Sequence, residues 1–418
     1  MRGVLAALPK RPNWEVHRFS GVFERRKVTG YEGFEPLSVF TELGVVPRGS
    51  QDWSYKALGQ SLSGYLLVEP GDLVFNKLRT WQGALGLSAY RGIVSPAYFV
   101  FRARVRIDPR YYHYLLRSSA WVQELKRLSK WMPPNQNDIS WNDLKRMQVL
   151  VPPLAEQRAI ADFLDRETAR IDAIIVKKRR LAEVLRARFL EKARGLLTEG
   201  LQVKDPLDVR ETESASAGSR KVVRLAWDFA FGSGTTPPAG DERYYGPGVP
   251  WLITGDLTDW EVPSVPRSVT QEALASYSAL KIHPAGSLVI AMYGATVGRL
   301  GLVGFEFVTN QACCVLHSGT SLDVQFVFYW LLGHREALLL RGVGAGQPNI
   351  SQEMIRSIRI AAPSRNEQMR LVKELNTYRD KTETSIDRLT RQIALLAEHR
   401  QALITAAVTG QMDISSAA

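Results

Sequence analysis

Cysteine is almost absent from this chain of 418 residues: only Cys313 and Cys314 occur, side by side. Adjacent cysteines rarely bridge each other, so no disulfide framework holds the fold, and reduced thiols fit a cytoplasmic protein. Long apolar runs are also missing. The densest, Phe326-Val-Phe-Tyr-Trp-Leu-Leu332, falls well short of the roughly 18 residues that would cross a bilayer, so no membrane partner is expected. The first nine residues carry too short an apolar core for a secretory signal. The six histidines, His17, His113, His283, His317, His334 and His399, show no metal-ligand spacing with each other or with the cysteines. Gly342-Val-Gly-Ala-Gly346 is rich in glycine, but no Lys-Ser/Thr follows it, which excludes a P-loop, and its spacing lacks the dinucleotide fingerprint. No Gly-x-Ser-x-Gly elbow occurs, nor an Asn-Pro-Pro-aromatic run of the kind that binds the target amine in base-methylating enzymes. Acidic residues are scattered. The chain is therefore expected to have no catalytic, metal-binding or cofactor-binding residues of its own.

Positive charge is present in excess. Apolar residues make up 45% and charged residues 23%, an ordinary folded composition, yet the formal net charge is +12. Residues 1–153 carry +10, residues 154–200 carry +3, residues 201–363 carry −2 and residues 364–418 carry +1. A basic balance invites a polyanionic partner, most simply nucleic acid.

The chain is also written twice. Gly71-Asp-Leu-Val-Phe-Asn76 returns as Gly286-Ser-Leu-Val-Ile-Ala291, and Gly83-Ala-Leu-Gly-Leu87 returns as Gly298-Arg-Leu-Gly-Leu302, both at an offset of 215. Ile139-Ser140 and Ile350-Ser351, Pro152 and Pro363, and Glu156-Gln157 and Glu367-Gln368 repeat at an offset of 211. Such a period marks a duplicated unit. Each copy opens with mixed strand and turn chemistry. Leu66-Leu-Val68, the turn Pro70-Gly71-Asp72 and Leu73-Val-Phe75 have a counterpart in Leu280 and Ile282, Pro284-Ala-Gly286-Ser287 and Leu288-Val-Ile290.

Each copy closes on a long helical pattern. Apolar or tolerant positions fall at Ile160, Leu164, Glu167, Ile171, Ile174, Lys178, Leu181, Leu185, Phe189, Lys192 and Leu196 in the first, and at Leu371, Leu375, Tyr378, Thr382, Ile386, Leu389, Ile393, Leu396, Leu403 and Ala407 in the second. A 3.5-residue average keeps a narrow stripe facing a partner helix, the coiled-coil condition, so the two helices are expected to pair. Pro152-Pro153 and Ser364-Arg-Asn-Glu367 supply starts, and Gly200 and Gly410 supply stops. About 44 helical residues would reach roughly 66 Å. Residues 211–219, Glu-Thr-Glu-Ser-Ala-Ser-Ala-Gly-Ser, cannot build a core and read as a flexible linker.

Several stretches, taken in order, resemble the specificity subunit of type I restriction–modification enzymes. They are Gly71-Asp-Leu-Val-Phe-Asn-Lys-Leu-Arg-Thr-Trp-Gln-Gly83, Val94-Ser-Pro-Ala-Tyr98 and Pro152-Pro-Leu-Ala-Glu-Gln-Arg-Ala-Ile160 in the first half. In the second half they are Ser233-Gly-Thr-Thr-Pro237, Pro250-Trp-Leu-Ile-Thr-Gly-Asp256, Met292-Tyr-Gly-Ala-Thr-Val-Gly-Arg-Leu-Gly301, Asn310-Gln-Ala-Cys313 and Gln347-Pro-Asn-Ile-Ser351. The resemblance implies an α+β architecture in which two similar α/β target-recognition domains are joined by two long helices paired as an antiparallel coiled coil, with a pseudo-two-fold internal repeat. On this reading residues 1–153 and 221–363 are the recognition domains, 154–200 and 364–412 the spacer helices, 201–220 a linker and 413–418 a tail. Each domain would read one half of a bipartite, asymmetric site in double-stranded DNA. Two adenine-N6 methyltransferase subunits would dock on the helices and restriction/translocase subunits would join them. S-adenosylmethionine, ATP and magnesium would belong to those partners, leaving this chain non-catalytic.

Base edges are read by Arg, Lys, Asn and Gln, and phosphates are held by Lys, Arg and hydroxyls. In the first domain the candidates are Lys77, Arg79 and Gln82, with Lys130, Asn135, Gln136 and Asn137 on a polar loop. In the second they are Thr235, Tyr293, Thr296, Arg299, Gln347 and Asn349. Gly83, Gly298 and Pro96 are expected to shape turns, and Asn310-Gln311 to satisfy backbone groups. Two other classes remain open at this point: a non-sequence-specific adaptor, and an autonomous nuclease or methyltransferase.

Overall fold

The computed structural model describes residues 5, 8–9, 11–41, 43–50, 62–132, 136–199, 201, 205–209, 220–342 and 349–414. They fall into two units, one of Met1–Arg179 with Thr390–Ala418 and the other of Arg180–Leu389. Most of the expected linker, 202–204 and 210–219, lies outside the described residues.

In the first unit the central sheet has four strands in the order Phe23–Arg26, Tyr98–Ala103, Leu73–Asn76, Leu85–Leu87, every neighbouring pair antiparallel. Phe23, Leu73, Phe75, Leu85, Phe99 and Phe101 join Tyr111, Tyr112, Leu115 and Trp121 in one buried core. The aromatic rings interlock edge to face, as at Phe75–Phe101, 5.1 Å between centroids. Helix Pro109–Arg117 starts there because Asp108 accepts a hydrogen bond from the Arg110 N–H and Pro109 presets the first turn.

The second unit repeats the plan. Its sheet runs Ala230–Gly232, Cys313–His317, Ser287–Ala291, Leu300–Val303 and adds Trp260–Val262 in parallel at the edge. The register repeats as well: Arg26 faces Val100 and, 206 and 215 residues on, Gly232 faces Val315. Gly71, Gly83, Gly286 and Gly298 all hold positive φ, between 75° and 90°, at matching turns, which only glycine adopts without strain. One expectation fails. Leu66–Val68 is a strand paired with Gly92–Val94, but Leu280 and Ile282 form none; only an isolated bridge joins His283 to Phe307. In its place the second unit builds a separate three-stranded sheet of Tyr245–Leu252, Ser268–Val269 and Val308–Thr309.

Both long helices form, Leu154–Leu197 and Arg365–Val408, 44 residues each. Gly410 ends the second at φ 74°. They pair antiparallel inside each unit. In the first unit Asp172 meets the Arg400 guanidinium at 3.0 Å and the Lys178 ammonium donates to Gln392 Oε1 at 2.7 Å. In the second, Phe189 stacks on Tyr378 and Lys192 reaches Glu374 at 3.4 Å. Of the charged positions in the first seam, Lys178 and Lys192 thus find partners on the opposite helix, while Glu167 pairs with Arg170 on its own.

The first helix corrects the expected stripe. Ile174 and Leu181 are 36% and 48% exposed, while Ile171 and Ile175 are buried. From Ile171 the buried face steps by four residues to Ile175 rather than by three to Ile174, so Ile174 and, one heptad on, Leu181 stand off it. The second stripe, with Leu371, Leu375, Thr382, Ile386, Leu389, Leu403 and Ala407 buried, holds as expected.

Gln157 and Gln368 anchor each helix to its unit. Gln157 accepts from the Asp108 N–H at 2.9 Å and donates to the Pro152 carbonyl at 2.7 Å. Gln368 accepts from the Asp323 N–H at 2.8 Å and donates to the Pro363 and Ser321 carbonyls at 3.0 Å. Both side chains are 1% exposed. The motifs around Gln157 and Gln368 therefore make the joint between sheet domain and helix.

Candidate nucleic-acid interface

Strands Phe23–Arg26 and Leu73–Asn76 flank Tyr98–Ala103 antiparallel and so run parallel to each other. Their carboxyl ends meet on one rim of the sheet. Lys77 and Arg79 lie on that rim, where the Lys77 N–H donates to the Ala97 carbonyl and the Arg79 N–H to the Asn76 carbonyl. Gln82 is exposed on the short 3-10 turn Thr80–Gln82 that follows. The Lys77 ammonium donates to the Pro96 carbonyl at 2.7 Å and sits 4.7 Å from the Phe99 ring centroid. Its pKa is lowered, first by burial and then by the charges of Arg25 and Lys27, with Asp138 opposing. Arg25 lies over the same ring at 4.5 Å. Among the described residues its Nε has no hydrogen-bond partner, and neither does the buried Asp138 Oδ1.

Lys130, Asn137 and the backbone of Gln136 belong to the hairpin Lys130–Met132 with Gln136–Asp138, in which Lys130 faces Asp138 and Trp131 faces Asn137. Asn135 lies outside the described residues. Trp131 is 67% exposed, an aromatic surface that sequence reasoning passed over. Arg25, Lys27, Asp138 and Trp131 were missed because only strand pairing brings residues so far apart in the chain to one rim.

In the second unit the equivalent rim collects Thr235, Tyr293, Thr296, Arg299 and Asn349. The Met292 N–H donates to the Ala312 carbonyl, the counterpart of Lys77 and Ala97, and the Ile350 N–H donates to the Met292 carbonyl at 2.7 Å, bringing Asn349 beside Tyr293. Tyr293–Arg299 is a turn closed by the Gly298 N–H on Ala291 and the Arg299 N–H on Thr296. The Ser233-Gly234-Thr235-Thr236 segment presses on the same loop: Ser233 Oγ donates to the Cys313 carbonyl at 2.8 Å and Thr236 Oγ1 to Gln311 Oε1 at 2.7 Å. A Cβ at Gly234 would stand 1.7 Å from the Thr309 oxygen, so only glycine fits. Asn310 Oδ1 accepts the Ala312 N–H, satisfying the backbone as expected. Tyr293 is 38% exposed, and Arg299 and Asn349 are exposed. Gln347 lies outside the described residues.

The nearby thiols belong to the packed sheet. Burial pushes Cys313 up to about 12 and Cys314 higher still. Among the described residues no three His, Cys, Asp or Glu side chains converge as metal ligands, and no helix is long and apolar enough to cross a membrane.

The profile of the type I restriction modification DNA specificity domain matches residues 223–394. The MjaX type I restriction enzyme specificity subunit of Methanocaldococcus jannaschii is 26% identical over 340 residues, covering 77% of this chain and 74% of that protein. The EcoR124I/EcoR124II specificity subunit of Escherichia coli is 25% identical over 171 residues, covering 40% of this chain and 42% of that one. A chain solved in a study of assembly and conformational transition of the type I restriction–modification system shares the fold at TM-score 0.70 and 18% identity, over 97% of this chain and 99% of that one. The HsdS subunit of Thermoanaerobacter tengcongensis gives TM-score 0.50 and 18% identity, over 96% and 98%. Residues 223–394 thus match the type I restriction modification DNA specificity domain, the first half repeats the same plan, and over most of its length the chain resembles type I restriction enzyme specificity subunits.

Proposed function

We propose that this chain sets the DNA sequence specificity of a type I restriction–modification complex, each unit reading one half of a bipartite, asymmetric site. One observation carries the reading: both units present the same sheet rim, but with different side chains, so one scaffold serves two half-sites. Lys77, Arg79 and Gln82 hold the rim in the first, and Tyr293, Thr296 and Arg299 in the second. The paired helices act as spacer and as docking surface for two methyltransferase subunits. In support, Ile174 and Leu181, seven residues apart on one helix face, are left open to solvent. This chain supplies no chemistry of its own. S-adenosylmethionine would be bound by the methyltransferase subunits, and ATP with magnesium by the restriction/translocase subunits.

Methylome sequencing of cells with and without the gene is the test. Loss of adenine methylation at one bipartite motif on deletion is expected; an unchanged set of motifs would sink the reading. In vitro, the purified chain with S-adenosylmethionine and DNA should transfer no methyl group until methyltransferase subunits are added.

A further inference from the structure

The two rims match position by position, and their charges do not. Arg25 and Lys27 in the first unit correspond, by sheet register, to Phe231 and Ser233 in the second. Lys77 and Arg79 correspond, by the turn hydrogen bonds, to Met292 and Gly294. Asp138 corresponds to Asn349, since each stands two residues before the serine, Ser140 or Ser351, that caps the next helix. These five ionised groups of the first rim are thus replaced by neutral ones in the second.

Among the described residues no carboxylate lies within ion-pair distance of Arg25, Lys27, Lys77 or Arg79. In the second unit the neighbouring cations are taken up. Arg267 pairs with Asp256 at 2.5 Å, Arg243 with Asp241 at 2.7 Å, and Arg356, which lies over Phe231, with Glu353 at 3.9 Å. The turn keeps Arg299 alone as an exposed cation. The scarcity of net positive charge in residues 201–363 is therefore matched at the rim, where five charged positions of the first unit are replaced by neutral ones.

We infer that the two units divide DNA binding unequally. The first supplies most of the phosphate contacts that hold the duplex, in addition to reading its own half-site, and the second reads its half chiefly through hydroxyl, amide and aromatic groups, with Arg299 as the exposed cation of its turn. The inference rests on the function proposed above. Its physical basis is counterion release: each phosphate neutralised by a fixed cation adds about 0.9 to the slope of log affinity against log salt, while neutral contacts add none. Phosphate contacts position the duplex irrespective of sequence, and groove contacts to base edges read it.

The test uses the assembled methyltransferase complex and two duplexes, one carrying the methylated bipartite motif and one of shuffled sequence, over a potassium chloride series. Lys27→Gln/Arg79→Gln alters two exposed side chains that have no ion-pair partner among the described residues. It should weaken both duplexes alike and flatten the salt slope by about 1.8. Tyr293→Ala/Asn349→Ala should weaken the motif duplex at least tenfold, with the slope and the shuffled duplex unchanged. An unaltered slope in the first variant, or equal weakening of both duplexes in the second, overturns the division while leaving sequence reading intact. A wild-type complex that binds both duplexes equally overturns the proposed function, and the division with it.

Discussion

Gln157 and Gln368 each satisfy an N–H and one or more carbonyls at a buried joint, so truncation strands those groups without water. Gln157→Ala and Gln368→Ala should each cost about 2–3 kcal/mol, read by urea denaturation; a loss under 1 kcal/mol would show that water replaces the amide. His113 is a further polar group, half-buried against the sheet. Its Nδ1 accepts the Leu87 N–H at 3.1 Å, and burial, with Arg117 and Arg400 nearby, lowers its pKa from 6.5 to about 3. Between those values the unfolded chain binds a proton that the folded unit refuses. Stability is therefore full above 6.5 and falls as pH drops below it, by roughly 2 kcal/mol at pH 5. Calorimetry should show the wild type losing more between pH 7 and 5 than His113→Gln. The corresponding position in the second unit is Phe328, which does not titrate.

At the scale of elements, the sequence was most legible where backbone chemistry is unambiguous. Pro152-Pro153 and Gly410 bracket the long helices, and the glycines of both turns sit at positive φ. The stripe of the first helix departs from expectation at Ile174 and Leu181 because Ile174 and Ile175 are both apolar, and residue type cannot say which of two neighbours faces the partner helix. The candidate turns Lys77–Gln82 and Tyr293–Arg299 were found through their repetition. Arg25, Lys27 and Asp138 have no such signature; an alignment at offsets of 206 and 211 would have exposed them as positions that change charge between copies. The misread stripe has its own use. Ile174→Lys and Leu181→Lys should leave thermal unfolding unchanged yet prevent assembly with methyltransferase subunits, seen by light scattering after size exclusion. Normal assembly of both variants would place the docking surface elsewhere.

For the whole molecule, helix length becomes a functional quantity. Deleting one heptad from each helix removes about 10 Å of rise, the length of about three base pairs. The methylated motif should then have a shorter gap or vanish, and an unchanged gap would end the spacer idea. The first unit also shows how the chain must mature. Its core includes Leu403, Ile404, Ala407, Val408 and Ile414, the Tyr111 hydroxyl donates to the Val408 carbonyl, and Arg11 donates to the Gly410 and Met412 carbonyls. The second unit, from Arg180 to Leu389, draws on no such distant segment. On the ribosome, the half translated first must wait, with an open apolar seat, until residues 403–414 have emerged, while the half translated second can already close. Nascent chains stalled before residue 403 should thus expose the earlier lobe to chaperones and proteases, and a frameshift just ahead of residue 403 would cripple the amino-terminal lobe.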